Sequence, residues 1–290
     1  TNACNLRCQM CGQWSETGYL TNNIKDHHDQ MDIAIWKGLV DEIAGHDIRL
    51  LLIRGGEPFL YPGIMELLEY IHGRNIFMSI DSNGMLIHKY VEELIKLGNM
   101  HITFSVDGPE EIHDAVRGVK GSFQKIKDNI QFLDKLDTQR KISKSICFTI
   151  SKYSYKGLGQ MPTVAGSMGI KSINIMPYYY VSAETGRQYE NELRENLGCT
   201  AFSWQGFFNE VAGIDPEIFK KQLQTYFANL DDIGNYPFMP LTEDEYLTWF
   251  RDTSTPVTLP TCTNIERLIE FSPMAMPIFA SIFLIIVLEM

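Results

Sequence analysis

From residue 32 to residue 177 helical and strand patterns alternate, and that rhythm leaves few folds open. Apolar residues recur at helical spacing over 32–44 (Ile35, Leu39, Val40, Ile43), and 50–53 is a short apolar run. The pattern then predicts a helix over 64–71, a strand over 76–80, a helix over 91–97 closing on Gly98, and a strand over 102–106. A helix over 123–136, a strand over 145–150, a helix over 158–168 and a strand over 173–176 follow. Strands separated in turn by helices predict a parallel sheet with right-handed crossovers. The apolar strand centres predict a sheet buried on both faces. A full or partial barrel and an open doubly wound sheet both satisfy the pattern. In a barrel, chemistry collects on the loops after the strand C-termini.

The rhythm breaks after Pro177. Helices are expected over 216–230, with Asp215 as N-cap, and over 243–251, with Thr242 as N-cap. Residues 271–288 carry no charge. A membrane helix needs about 20 apolar residues, and Pro273 and Pro277 interrupt this stretch, which also lacks basic flanks. A truncated or misread terminus, a buried strand or helix, and a membrane anchor are the three readings of the tail. Three segments are expected: 1–177, 178–270 and 271–290. The chain has 290 residues, 44% hydrophobic and 21% charged, enough for a sizeable core. Its net charge of −11 excludes a nucleic-acid backbone binder, which needs clustered Lys and Arg.

Six cysteines are too few for a disulfide scaffold. No secretory signal opens the chain, and a cytoplasmic protein is expected, read as a fragment whose start lies upstream. Cys4, Cys8 and Cys11 form a C-x3-C-x2-C triplet. Structural zinc usually wants four protein ligands, and His27 and His28 lie far along the chain. Three thiolates on a cubane iron–sulfur cluster would leave one iron open. A thioredoxin-like Cys8–Cys11 pair lacks its strand–helix context.

With this triplet, Arg54-Gly55-Gly56-Glu57-Pro58, Ser82-Asn83-Gly84, and Ser105-Val106-Asp107-Gly108-Pro109 followed by Arg117-Gly118, the chain resembles the radical S-adenosylmethionine (radical SAM) enzymes. The resemblance covers about residues 1–177, and in particular it points to the branch with a C-terminal auxiliary iron–sulfur (SPASM or Twitch) domain. It implies a partial (β/α)6 barrel, within the α/β class, followed by a mostly helical, incomplete auxiliary extension. Thr1 would then sit at the end of a first strand most of which is missing.

The resemblance further implies that Cys4, Cys8 and Cys11 hold a [4Fe–4S] cluster whose open iron chelates SAM. One-electron cleavage would yield a 5′-deoxyadenosyl radical that abstracts hydrogen from a peptide, protein or small-molecule substrate. Gly55, Gly56, Glu57 and Pro58 would form the loop at the SAM amino group, with Glu57 adding charge or fixing the loop. Ser105 would hold the SAM carboxylate or ribose, and Arg117 would pair with the carboxylate. Taken alone, each is ordinary: a Gly-Gly-Glu-Pro turn, a strand hydroxyl, a solvated loop charge. Asn83-Gly84 reads equally as a tight turn or a wall of the SAM site, and Asp107 as a loop-shaping residue. Met176 matches an adenine contact by position only, and Tyr178, Tyr179 and Tyr180 read as domain-junction packing. A flavodoxin or ferredoxin reductant is implied; no membrane or nucleic-acid partner is expected. No catalytic acid or base is assigned.

Of the other cysteines, Cys147 reads as a buried small hydrophobe and Cys199 as structural or as a ligand. Cys262 resembles the first cysteine of an auxiliary domain that the chain does not complete. Two other classes stay open: a catalytically silent iron–sulfur electron-transfer or cluster-carrier protein, and a zinc-stabilised binding module.

Overall fold

The structure, a computed structural model, describes residues 2–23, 31–46, 48–178, 180–200, 203–209, 211–236, 241–252, 268–271 and 282–287, the last two segments by backbone alone. Along the chain run α1 (Tyr19–Asn23), α2 (Ile33–Gly45), β1 (Leu50–Gly55), α3 (Ile64–His72), β2 (Phe77–Ser82), α4 (Val91–Leu97) and β3 (Met100–Ser105). Next come α5 (Glu110–Arg117), α6 (Ser122–Leu136), β4 (Ile142–Ile150), α7 (Met161–Ser167), β5 (Ser172–Pro177) and α8 (Ala183–Leu197). α9 (Pro216–Ala228), β6 (Gly234–Asn235), α10 (Glu243–Arg251), β7 (Leu268–Phe271) and β8 (Ile282–Val287) complete the order.

Strands β1 to β6 form one parallel sheet in sequence order, as alternating βαβ units require. β8 pairs antiparallel with the outer edge of β1, and β7 with β8. Residues 282–287 of the apolar tail are therefore a strand, one of the outcomes expected for that segment. Among the described residues no helix is long and apolar enough to cross a membrane. Pro273, Pro277 and the segment around Cys262 lie outside the described residues.

The helices begin where the caps dictate. Asp32 accepts from the Ala34 N–H at 2.7 Å, Asp215 from the Glu217 and Ile218 N–H groups, and Thr242 with Glu245 forms a capping box. Three helices escaped the pattern reading. α1 is only five residues long. α5 is eight residues of mostly polar sequence. α8 buries only Gly186, so no apolar stripe announces it.

One expectation needs correction: the sheet is not apolar on both faces. Leu51, Ile53, Met78, Ile80, Ile102, Phe104, Ile146, Phe148, Ile173 and Ile175 are buried in one continuous core with residues of α2, α3, α4, α6 and α7. The intervening positions form a mixed face, with Leu50, Leu52, Phe77 and Met176 beside a polar majority. Across it, Ser79 pairs with His101 and His101 with Ser143; Asp81 pairs with Thr103 and Thr103 with Ser145. Ser105, Cys147 and Asn174 make a third row. Side chains alternate along a strand, so helices on one side leave these residues to line the other. The sheet also continues beyond residue 177, through β6.

Candidate functional site

The cysteine loop is held on three sides. Its own turn is closed by the Cys11 N–H donating to the Cys8 carbonyl and by Ser15 N–H to Cys11. The Gln9 N–H donates to the Val116 carbonyl at 2.8 Å, tying the loop to α5. The Trp14 indole N–H donates to the Asn2 carbonyl at 2.8 Å. On the outer side the 203–207 turn packs backbone to backbone: a Cβ on Gly206 would collide with the Gly12 carbonyl oxygen, and one on Gly12 with the Phe207 ring. The Tyr178 hydroxyl donates to the Gly206 carbonyl at 3.3 Å. The segment after residue 177 thus forms a wall beside Cys11.

Cys4, Cys8 and Cys11 are free thiols. Two donors point at their sulfurs: Trp14 N–H to Cys11 Sγ at 3.3 Å and Arg117 Nη1 to Cys8 Sγ at 3.6 Å. Such donors favour the thiolate, the form that binds iron. Burial opposes them, pushing Cys4 up to about 12 and Cys8 upward as well. Metal binding must therefore displace protons. Among the described residues no three His, Cys, Asp or Glu side chains converge tightly enough for a single ion. Three thiols with no fourth His, Cys, Asp or Glu converging on them among the described residues fit a cluster with one open iron better than four-ligand structural zinc.

The Gly55-Gly56-Glu57-Pro58 loop lies directly against the cysteine loop. The Glu57 N–H donates to the Ala3 carbonyl at 2.8 Å. A Cβ on Gly56 would fall 2.7 Å from the Asn2 carbonyl oxygen and nearer still to that of Ala3. Gly55 ends β1, and Pro58 begins a buried turn capped by the Glu57 side chain. Glu57 is fully buried, and its carboxylate faces the protein. It accepts from Ser82 Oγ at 2.9 Å, from the Asn83 N–H at 2.8 Å and from the Phe59 N–H at 3.2 Å. Of the two roles expected for Glu57, this geometry is that of fixing the loop. Asn83 carries the link onward, donating to Asn5 Oδ1 at 2.8 Å.

Burial pushes the Glu57 carboxyl up to about 7, against the lowering effect of the Asn83, Phe59 and Ser82 donors. A carboxyl higher in the folded than in the unfolded state contributes stability at low pH and loses it as pH rises through the folded value. In the metal-free chain, the stability difference between wild type and Glu57→Gln should favour wild type by about 2.5 kcal/mol more at pH 5 than at pH 8. Urea denaturation at the two pH values reads this; a difference of opposite sign contradicts it.

Ser105 ends β3 on the polar face, and its hydroxyl has no protein partner among the described residues. Arg117 needs a correction. It is not a solvated loop charge but the last residue of α5, with its side chain only 9% exposed. Its Nη2 lies 2.6 Å from Asp107 Oδ2, and Asp107 is fully buried. Arg117 Nε has no hydrogen-bond partner among the described residues. Asp107 Oδ1 accepts from the Thr149 N–H at 3.3 Å, and its own N–H donates to His113 Nδ1 at 3.2 Å. Burial then holds His113 neutral, pushed down to about 3. Asp107 therefore anchors an arginine that reaches the Cys8 sulfur, more than shaping a loop. The ten-residue gap between the two hides this pairing from sequence reasoning. Removing one partner of a buried pair strands the other charge. Asp107→Asn should cost about 3–5 kcal/mol by urea denaturation, and a loss under about 1 kcal/mol would contradict the assignment.

The remaining expected residues fall around this centre. Met176 lies on the polar face of β5, paired with Thr149. Tyr178 and Tyr180 pack edge to face at 5.3 Å, and Tyr178 also meets Phe207, consistent with junction packing; Tyr179 lies outside the described residues, as do His27, His28 and Cys262. Gly84 adopts φ +72 in a turn against Phe104 and Ile126. Cys147 sits on the polar face, not in the apolar core, and burial pushes it up to about 12. Cys199 is exposed. Arg54, the residue before Gly55, pairs with Asp81 at 2.7 Å, and sequence reasoning left both out of its ligand set.

A family model described as "Radical SAM superfamily" matches residues 1–156. The sporulation killing factor maturation protein SkfB of Bacillus subtilis is 31% identical over 134 residues, 46% of this chain and 31% of that protein. The AdoMet-dependent heme synthase of Methanosarcina barkeri is 27% identical over 194 residues, 66% of this chain and 51% of the synthase. The chain thus spans about a third to a half of the curated relatives it matches. The crystal structure of Streptococcus suis SuiB bound to precursor peptide SuiA superposes with a TM-score of 0.59 at 16% identity, over 84% of this chain and 48% of that one. That likeness is one of fold.

Proposed function

The chain belongs to the radical SAM superfamily, and from that premise we propose that it reductively cleaves SAM and abstracts hydrogen from a peptide or other organic substrate. The observation that carries the reading is the direct contact of two motifs far apart in sequence. The Glu57 N–H meets the Ala3 carbonyl beside Cys4, so the glycine loop and the three thiols form one site.

When bound, the cluster and SAM would supply one-electron reductive cleavage of a sulfonium C–S bond, with a flavodoxin or ferredoxin as the electron donor. The protein's part is binding, orientation and exclusion of water. Cys4, Cys8 and Cys11 would hold three irons. Backbone carbonyls of Gly55 and Gly56 would accept from the SAM ammonium, with Glu57 and Pro58 fixing the loop. The buried Arg117 Nε, which has no acceptor in the structure, and the free Ser105 hydroxyl would receive the carboxylate or ribose. Tyr178 and Phe207 would wall the site beside Cys11.

SkfB is a maturation protein by its name and SuiB was solved with a precursor peptide, which favours a peptide substrate and an auxiliary-cluster extension beyond residue 177. The experiment is electron paramagnetic resonance of the reconstituted, reduced chain with and without SAM. A cluster signal whose g-values shift on adding SAM supports direct chelation. An unshifted signal assigns the chain to the silent iron–sulfur class.

A further inference from the structure

Among the described side chains, the polar face of β1 to β5 carries one charged pair, on β1 and β2. Arg54 is the last β1 residue before the Gly55-Gly56 turn. It follows Ile53, which is buried in the helix-covered core, so its side chain belongs to the opposite face. There its Nη2 lies 2.7 Å from Asp81 Oδ2 on β2. The two side chains keep 33% and 23% of their exposure, against 9% and 0% for Arg117 and Asp107. Beyond Asp81, the Arg54 guanidinium makes no hydrogen bond or ion pair with the described residues. Asp81 stands in register with Thr103 on β3, and Thr103 with Ser145 on β4.

Among the described side chains that β1 to β5 place on this face, the rest are uncharged at neutral pH. His101 is clamped between Ser143 and Ser145 at 2.8 and 2.7 Å and shifted toward its neutral form by burial. Around it stand hydroxyls, an amide and a thiol that burial keeps protonated. Arg54 is therefore the sole full positive charge among the described residues that β1 to β5 present on this face. A guanidinium carries five donors in a planar fork, and one contact to Asp81 leaves most of them unused. A carboxylate accepts such a fork through two parallel hydrogen bonds.

We propose that Arg54, oriented by Asp81, is a recognition fork for a carboxylate of the substrate. This rests on the proposed function, since it places the substrate on the face beside the glycine loop. The carboxylate could belong to an acidic or C-terminal residue of a peptide, or to a propionate-like side chain of a small molecule; the fork reads their shared chemistry. Asp81 sets the guanidinium plane and keeps the empty face near neutral, at the expense of some affinity for a second anion.

The test uses propionate and propionamide as probes, with the reconstituted chain in the presence of saturating SAM, read by saturation-transfer nuclear magnetic resonance. Wild type should saturate propionate several-fold more than propionamide. Arg54→Gln should remove that preference. Asp81→Asn, which frees the fork, should strengthen the propionate signal, whereas a merely structural ion pair would lose it with either change. Equal signals from the two probes would overturn the proposal. So would a propionate signal present without SAM and abolished by it, because the fork would then belong to the cofactor's own carboxylate. If the fork is confirmed, N-acetylglutamate peptides compared with porphyrin propionates distinguish the two sources. Wild-type 5′-deoxyadenosine formation without substrate is measured in parallel; its absence would undo the proposed function, while the propionate preference is scored on its own.

Discussion

Replacing Cys4, Cys8 or Cys11 singly by alanine should lower 5′-deoxyadenosine formation by at least about 100-fold, beyond the range seen on disturbing residues that only support a metal ligand. The three positions should not lose iron equally. Cys8 is buried and receives the Arg117 donor, and Cys11 receives the Trp14 N–H. Cys4 has neither contact. The supported sulfurs should anchor the cluster more firmly, so Cys8→Ala should retain less iron after desalting than Cys4→Ala. Iron and sulfide analysis with the absorbance near 400 nm reads the order. Full iron content with full activity in any of the three variants would remove that cysteine from the ligand set.

Gly56→Ala should damage the glycine loop severely. The added methyl would meet the backbone carbonyls of Asn2 and Ala3, and neither has a rotamer to move. Overpacking a well-packed site costs about 1–3 kcal/mol where side chains can yield; here the glycine loop or the Cys4 segment must shift bodily. The expected result is a drop of at least tenfold in SAM affinity, by equilibrium dialysis, together with lower cluster retention. Gly73→Ala is the control: its Cβ would sit 3.5 Å from the Glu69 and Tyr70 carbonyls, an ordinary contact. Equal behaviour of the two variants would contradict the close approach as the reason for glycine at 56.

Much of this architecture is written in local pattern. Asp32, Asp215 and Thr242 mark helix starts because each offers a short oxygen to free N–H groups, and all three act as caps. The strand centres were legible from their apolar runs, but not the faces. Leu50, Leu51, Leu52 and Ile53 are one apolar run, yet only Leu51 and Ile53 are fully buried. Whether a barrel curves around a polar interior is a tertiary fact, and a four-residue run does not carry it. In the site, residue types and spacing pointed to the cysteine and glycine loops. The partners lay beyond local reading: Glu57 is satisfied by Ser82 and Asn83, twenty-five residues on, and Arg117 by Asp107 across a helix. Arg54 was read as part of a turn motif because nothing near it in sequence announces Asp81.

The most direct measurement is anaerobic quantification of 5′-deoxyadenosine from the reconstituted chain given dithionite and SAM, beside a variant lacking all three triplet cysteines. The account predicts product from the wild type and none from the variant. A wild-type chain that carries the cluster, binds SAM and yet forms no 5′-deoxyadenosine would contradict it.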